Sequence, residues 1–482
     1  MRSRDPLLEH EGTTLGSSEP GDVLENVIDA RMCIGCGACA FAAPDLFSVG
    51  MTPEGHFRAS KAPGVDSTIN PAICPMSGAG MDETALAGEL YPDLPVDKAV
   101  GRHLSTFVCH VVEDDYRHRG GSGGLVTWLA AELLKQGKVD GILHVKPQDP
   151  AENDGLMFGY GFSRTIAEVR SGAKSRYYPV EMSQVLDWAG KTEGRFAVIG
   201  LPCFIKAIRL LEREGLIPAG RIAYCIGLVC GHLKSRHFAN YLAWQKGGEP
   251  DRISTFDFRY KIPGRPASDY GFSFKPMNTQ DPSSPGFWPM TEVKGKNWGE
   301  GQFKNVACEY CDDVLAECAD IVVGDAWLPG HVDDYQGTNV VVTRHKEIDA
   351  LVLEAARRNQ IHYEKVGVSD VIRSQASGIR HRREGTAHRL QRRRAAGLWY
   401  PKKRKLPQLA PSLMRRLIYD LRLAIAENSS LIFAEVLAGD GAIETYERRM
   451  KPYLEPYRRA IKYSNLAKKL MRTVVGFGRR RA

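Results

Sequence analysis

RFAVIGLPCFIKAIRLLEREGLIPAGRIAYCIGLVCG, residues 195–231, alternates two apolar patterns. A short apolar run over 195–203 gives way to apolar residues at helical spacing over 204–215, where Gly215 stops them. A second short run follows at 221–231. Runs of this length bounded by Gly and Pro read as buried strands, and the spacing between them reads as a helix. Two strands joined through a helix are set up to run parallel. The same alternation extends outward. GGSGG at 120–124 opens the helical pattern LVTWLAAELLKQG, and KVDGILHV at 138–145 reads as a strand. A helix is expected at 232–248, strands at 319–325 and 339–344, and a further helix at 346–358. The expected fold class is α/β, with a mixed, largely parallel sheet. Residues 250–305, rich in Gly, Pro, Ser and aromatics, read as a loop-rich β segment.

Eleven cysteines without a hydrophobic signal core argue for metal or redox use rather than disulfides. Cys33, Cys36 and Cys39 in CIGCGACAFAAP repeat every three residues, the opening of the ferredoxin run C-x2-C-x2-C-x3-C-P. Pro44 stands in place, but Ala43 fills the fourth cysteine's position. In two-cluster ferredoxins that cysteine serves the other cluster, so the ligand missing here must come from further on. Cys74-Pro75 supplies the next Cys-Pro pair. Cys33, Cys36, Cys39 and Cys74 are therefore expected to hold one [4Fe–4S] cluster. Zinc, the alternative, prefers two separated pairs.

Four more cysteines fall at chemically suggestive places. Cys203 lies where a strand hands over to a helix, whose N-terminus favours a thiolate. Cys230 ends the next strand and should share that sheet edge. Cys308 and Cys311 form CEYC in a loop. The four make a second cubane site from three loops, with Cys318 as a competing ligand. Taken singly, Cys203 and Cys230 read equally as buried core thiols. CEYC also suits zinc or a redox dithiol. Cys109 and Cys225 are expected to be core thiols.

GGSGGLVTWLAAELLKQGKVDGILHV, AKSRYYP (173–179), VIGLPCFIKAIR, IGLVCGH and CEYCDDVLAECADIVVGDAW resemble, in this order, the coenzyme F-420 hydrogenase/dehydrogenase beta-subunit family. That family also includes 7-hydroxymethyl chlorophyll a reductase and a divinyl chlorophyllide 8-vinyl reductase. The resemblance covers roughly residues 30–345 and implies FAD with one or two [4Fe–4S] clusters. It assigns Cys203, Cys230, Cys308 and Cys311 to the second cluster and gives Cys318 no ligand role. It also implies that Lys174, Ser175, Arg176 and Tyr177 serve the flavin, as cations for phosphate and a ring for stacking. Ser122, Gly123 and Gly124 offer backbone N–H groups at a helix start, as a pyrophosphate needs, although such a loop also serves as a plain turn. Asp325 either orients flavin or substrate or caps a turn. No GxGxxG follows a strand, which excludes a Rossmann site.

The expected function is an iron–sulfur flavoprotein oxidoreductase, passing electrons between a ferredoxin-like one-electron donor and an organic substrate through FAD. Two other readings compete. One is an electron-transfer subunit of a larger complex handling a deazaflavin or similar carrier. The other is an iron–sulfur sensor with a basic binding tail.

The charge is unevenly spread. Residues 1–370 carry 38 Lys and Arg against 49 Asp and Glu, whereas 371–482 carry 27 against 8. The tail suits an acidic partner protein or an anionic membrane surface, or it packs on the acidic body of the chain itself. Nucleic acid is not an expected partner. The longest near-continuous apolar stretch, residues 222–230, is far below the roughly 20 residues of a membrane span, so a cytoplasmic protein with at most a peripheral membrane contact is expected. The expected organisation is a disordered leader (1–28), a ferredoxin-like [4Fe–4S] module (29–100), an α/β core for FAD and the second cluster (101–370), and a basic helical tail (371–482). Within that tail, the run after Gly378 reads as a linker.

Overall fold

The computed structural model describes residues 23–64, 69–277, 286–439 and 441–479, with Val23 and 468–479 described by backbone alone. Its centre is an eight-stranded sheet. In chain order the strands are β1 Ser105–Val111, β2 Gly141–Pro147, β3 Phe158–Ser163, β4 Phe196–Gly200, β5 Ile222–Leu228, β6 Ile321–Asp325, β7 Asn339–Thr343 and β8 Ile361–Lys365. They lie side by side as β8-β1-β7-β6-β5-β4-β2-β3. The central strands β6, β5, β4 and β2 pair in parallel. The strands outside them pair antiparallel. The sheet is thus the mixed α/β sheet expected, with the parallel pairing in the stretch that alternates strand and helix. β7 is buried at every position, as a strand covered on both faces must be.

Helices α1 Leu125–Lys135, α2 Pro202–Arg213 and α3 Lys346–Arg357 cover the sheet. On one face, Trp128 and Leu129 of α1 and Ile348 and Val352 of α3 pack on Phe107, Ile142, Ala197 and Val341. On the other, Phe204 and Ile208 of α2 join a larger core. Strand β4 stops at Gly200 because Pro202 opens α2, so Cys203 sits in the helix's first turn rather than in the strand. The loop-rich segment forms a separate three-stranded antiparallel sheet, Ile253–Tyr260, Gly271–Pro276 and Gly286–Pro289.

The N-terminal and C-terminal regions differ from expectation. Residues 1–22 of the expected leader lie outside the described residues. Residues 23–28 belong instead to helix Val23–Asp29, because Leu24 and Val27 are buried. Within the expected cluster module, Phe47–Met51 and Phe57–Lys61 pair as a hairpin. The run after Gly378 is not a linker. Helix Ala376–Arg380 continues through a π turn, His381–Gly385, into α4 Thr386–Ala395. His381, Arg382, Thr386, His388 and Arg389 are buried there against the body. Helices α5 Leu413–Ala438 and α6 Ile443–Arg479 follow. Ile425, Phe433 and Tyr446 from these helices belong to the same core as Phe204 and Ile208. Among the described residues, no helix is long and apolar enough to cross a membrane.

One buried histidine predicts an acid limit. His144 of β2 bonds Ser163 at 2.9 Å, and burial pushes its pKa down to about 4. The unfolded chain therefore takes up a proton near pH 6.5 that the folded chain refuses, and stability falls as pH drops from about 6.5 towards 4. His144→Gln is expected to remove about 1–3 kcal/mol of this pH dependence. Urea unfolding of both proteins at pH 7 and pH 5 checks it.

Candidate functional site

The carboxyl ends of β2, β4, β5 and β6 all reach one edge of the sheet, because these strands are parallel. Ligands in open α/β sheets bind at that edge. Cys203 lies just beyond β4 and Cys230 just beyond β5. Cys308 comes from a short turn, Val306–Glu309, whose start is capped by the Asn305 side chain accepting from Ala307 N. Cys203, Cys230, Cys308 and Cys311 line one small cavity, together with Ile34, Met76, Pro202, Leu233 and Arg382. The Leu233 amide donates to Cys308 Sγ at 3.2 Å. Cys318 lies elsewhere, its Sγ facing the Glu83 carbonyl.

Cys33, Cys36, Cys39 and Cys74 are also brought together. The chain coils between them because Gly35 and Gly37 take φ of 66° and 86°. A Cβ at Gly35 would meet the Phe57 carbonyl oxygen at 2.4 Å, so the hairpin can approach the loop this closely only where there is no side chain. The Gly35 and Ala59 amides both donate to Cys33 Sγ at 3.4 Å. Ala43, in the missing cysteine's place, packs with Cys39 and Cys74 beside Leu46 and Phe47.

Burial governs the chemistry of both quartets. It pushes the thiols of Cys33, Cys36, Cys39, Cys203 and Cys311 above their ordinary range. It pushes Cys74 up to about 11 and Cys230 up to about 12. Within each group the neighbouring thiols add to the rise at several members: Cys74, Cys39 and Cys33 act on Cys36, and Cys311, Cys230 and Cys308 act on Cys203. Buried thiols this close ionise together only around a shared positive charge, which is what a metal cluster provides. No three His, Cys, Asp or Glu side chains converge on a single-ion site among the described residues. The donor set, the amide donors and the cavity ringed by the second quartet suit a polynuclear group, whose own volume spreads its ligands.

A second, larger cavity of about 880 Å³ opens beside these thiols. Ser122, Gly124, Lys174, Ser175, Arg176, Tyr177, Asp325 and Cys230 all line it. Gly123 lies behind the wall, where a Cβ would meet Asn339 Oδ1 at 2.6 Å and the Cys109 carbonyl oxygen at 2.8 Å. Lys174 pairs with Asp257 at 3.1 Å. Arg176 lies over the Phe158 ring at 4.7 Å, and its Nε has no hydrogen-bond partner. Burial pushes the Arg176 pKa down to about 10. The Tyr177 ring meets Trp298 edge-on at 4.7 Å. Asp325 does not cap a turn with its carboxylate. It holds Arg259 through two bonds, 2.9 and 3.1 Å, while Arg259 also donates to Tyr177 OH at 3.2 Å.

The sequence reading missed several groups of this wall. Arg259, Lys234, His232, Tyr270, Trp298, Arg382 and Arg422 all line it. Cations therefore outnumber carboxylates, as an anionic ligand requires. Most of these residues carry no local signal. Arg382 does: with Thr386 and Arg389 it stands at i, i+4 and i+7, on one helix face, hidden inside a run that reads as solvated charge.

A family model described as coenzyme F420 hydrogenase/dehydrogenase, beta subunit N-term, matches residues 106–187. A second, for the C terminus of the same subunit, matches residues 193–368. Together they span more than half of the chain. No curated protein matches it. Among solved structures, the chain is similar to one in the xenon-derivatised F420-reducing [NiFe] hydrogenase complex from Methanosarcina barkeri. Identity is 15%, coverage is 64% of this chain and 99% of that chain, and the TM-score is 0.48.

Proposed function

The chain belongs to the coenzyme F420 hydrogenase/dehydrogenase beta-subunit family, and on that footing we propose that it is an iron–sulfur flavoprotein oxidoreductase. It passes electrons between a ferredoxin-like one-electron donor and an organic substrate. Membership itself makes it an electron-transfer subunit of hydrogenase or dehydrogenase type. The two [4Fe–4S] clusters, the FAD and the donor are our reading.

One observation carries it: three sites adjoin in sequence. Ile34 and Met76, from the loops of the first quartet, line the cavity of the second. Cys230, Leu233 and Arg382 line both that cavity and the large one. An electron entering at Cys33, Cys36, Cys39 and Cys74 would thus pass Cys203, Cys230, Cys308 and Cys311 on its way to the large cavity. Bound FAD would supply the exchange between single electrons and electron pairs.

The chain's residues have definable tasks in this scheme. Arg176, Arg259 and Lys174 offer positive charge to phosphates, and Asp325 holds the Arg259 guanidinium in a fixed plane. Tyr177 and Trp298 give apolar faces to a planar ring and exclude water from it. Lys234 lines the wall with its pKa pushed down to about 7, chiefly by burial. Its Nζ can therefore hold or release a proton at neutral pH.

The test is anaerobic purification with iron, sulfide and flavin measured per chain. About eight iron atoms and one flavin are expected. Absence of both defeats the reading, and iron without stoichiometric flavin points to the sensor. A deazaflavin carrier is the first acceptor to offer, given the family's name. Cys74→Ala is expected to lower the iron content by about four atoms while sparing the flavin. Full iron in that variant would show that the fourth ligand lies elsewhere.

A further inference from the structure

The acidic body and basic tail meet in part at buried ion pairs, but not at Arg382. Arg389 pairs with Glu309 at 3.1 Å. Arg404 pairs with Glu317, Asp312 and Glu83 at 2.9, 3.3 and 3.4 Å. Arg382 is 1% exposed, yet among the described residues no carboxylate pairs with it. Its Nη2 donates to the Gly231 carbonyl at 2.7 Å and lies 3.8 Å from Cys230 Sγ. Its Nη1 donates to the Cys308 carbonyl at 3.2 Å.

A guanidinium stays charged even when buried, and a buried charge without a counter-charge is costly. Arg382 shares the small cavity with the thiol quartet and the buried Asp313 carboxylate, with which it makes no ion pair among the described residues, so a cluster held by the quartet would be its nearest counter-charge. A π turn, His381–Gly385, sets it there, and such turns often mark functional positions. Arg382 also lies beyond both matched segments, which end at residues 187 and 368. The cation comes from the C-terminal extension, not from the shared core.

We propose that Arg382 is a positioning residue of the electron path, which raises the reduction potential of the second cluster and ties the C-terminal extension to it. The inference rests on the proposed function, since it needs a cluster at Cys203, Cys230, Cys308 and Cys311. A cluster gains one negative charge when it takes an electron from the donor and loses it when it passes that electron on. A fixed cation at the sulfur stabilises the more negative form more strongly, so the potential rises. No bond forms or breaks in the step, and Arg382 itself neither gains nor loses a proton.

The experiment compares the full-length wild type with Arg382→Met and Arg382→Lys, all purified anaerobically. Iron content is measured, and redox titration followed by electron paramagnetic resonance gives the two midpoints. The methionine variant is expected to keep one midpoint and lower the other, with the lysine variant closer to wild type. Two unchanged midpoints, or two that shift alike, overturn the inference. Should Arg382→Met lose iron, Arg382→Gln, which keeps hydrogen-bond donors without charge, is read by the same criteria. A wild type lacking two clusters defeats the proposed function instead, so the two failures are distinguishable.

Discussion

Truncation after Gly378 is expected to abolish recovery of soluble, iron-containing protein, rather than to release a detachable tail. The segment removed contributes Leu390, Ile425, Ile432, Phe433, Val436, Tyr446 and Met450 to the main core. At roughly 1.5–3 kcal/mol for each fully buried large side chain, the loss is on the order of 10 kcal/mol or more. That equals or exceeds the usual net stability of a domain. Truncation would also strip Glu309, fully buried, of Arg389 and His381, leaving Lys304 at 2.5 Å as its remaining ion-pair partner. Both thiol sites would be opened. Arg382 would leave the second, and Lys403, which donates to the Pro75 carbonyl at 3.3 Å, would leave the loop beside Cys74. Expression of residues 1–378 beside the full chain, with yield, thermal melting and iron per protein, checks this. A truncated protein that folds with full iron would mean that the tail only docks.

Cys230→Ala should cost about four iron atoms per chain and disconnect the flavin from its one-electron donor. Cys230 is the thiol that lines both cavities, so its loss acts at the junction of the proposed path. The alanine leaves the β5 end intact, since Cys230 N still donates to the Val314 carbonyl at 3.0 Å. Flavin content is therefore expected to hold, while reduction of the flavin by dithionite-reduced ferredoxin slows by roughly 100-fold or more, a loss of about 3 kcal/mol or more in barrier terms. Stopped-flow measurement at the flavin absorbance reads the rate, and iron analysis reads the cluster. Unchanged flavin reduction in a protein that has lost four irons would show that electrons do not pass this way.

The sequence reading succeeded where information lies within a few neighbouring residues. Strand–helix alternation over 195–231 announces a parallel sheet centre because hydrophobic period and Gly and Pro stops are local properties. The three-residue repeat of Cys33, Cys36 and Cys39 is likewise local, and Ala43 in the fourth position directed attention to Cys74. These four lie together in the structure. The charge split did allow the tail to pack on the acidic body, as Arg389 on Glu309 and Arg404 on Glu317 do; what failed was the linker reading. IRHRREGTAHRLQRRR reads as a solvated linker because composition alone cannot say which face of a helix meets water. Glu309 and Cys308, more than 70 residues earlier in the chain, decide that Arg389 and Arg382 turn inward.

The sequence by itself therefore determined the α/β class and the three-residue repeat of Cys33, Cys36 and Cys39, which depend on spacing along the chain. It left the second set of cysteines and the glycine loop with alternatives, and the family resemblance, not spacing, chose Cys203, Cys230, Cys308 and Cys311 over Cys318. Only the tertiary structure decided that the tail completes the core, that Arg259 rather than a turn takes Asp325, and that the thiol sites and the large cavity share walls. Those are meetings of surfaces far apart in sequence: Arg382 reaches Cys230 across 152 residues. Burial then gives such meetings their force, because a charge or thiol excluded from water is governed by the few groups that touch it.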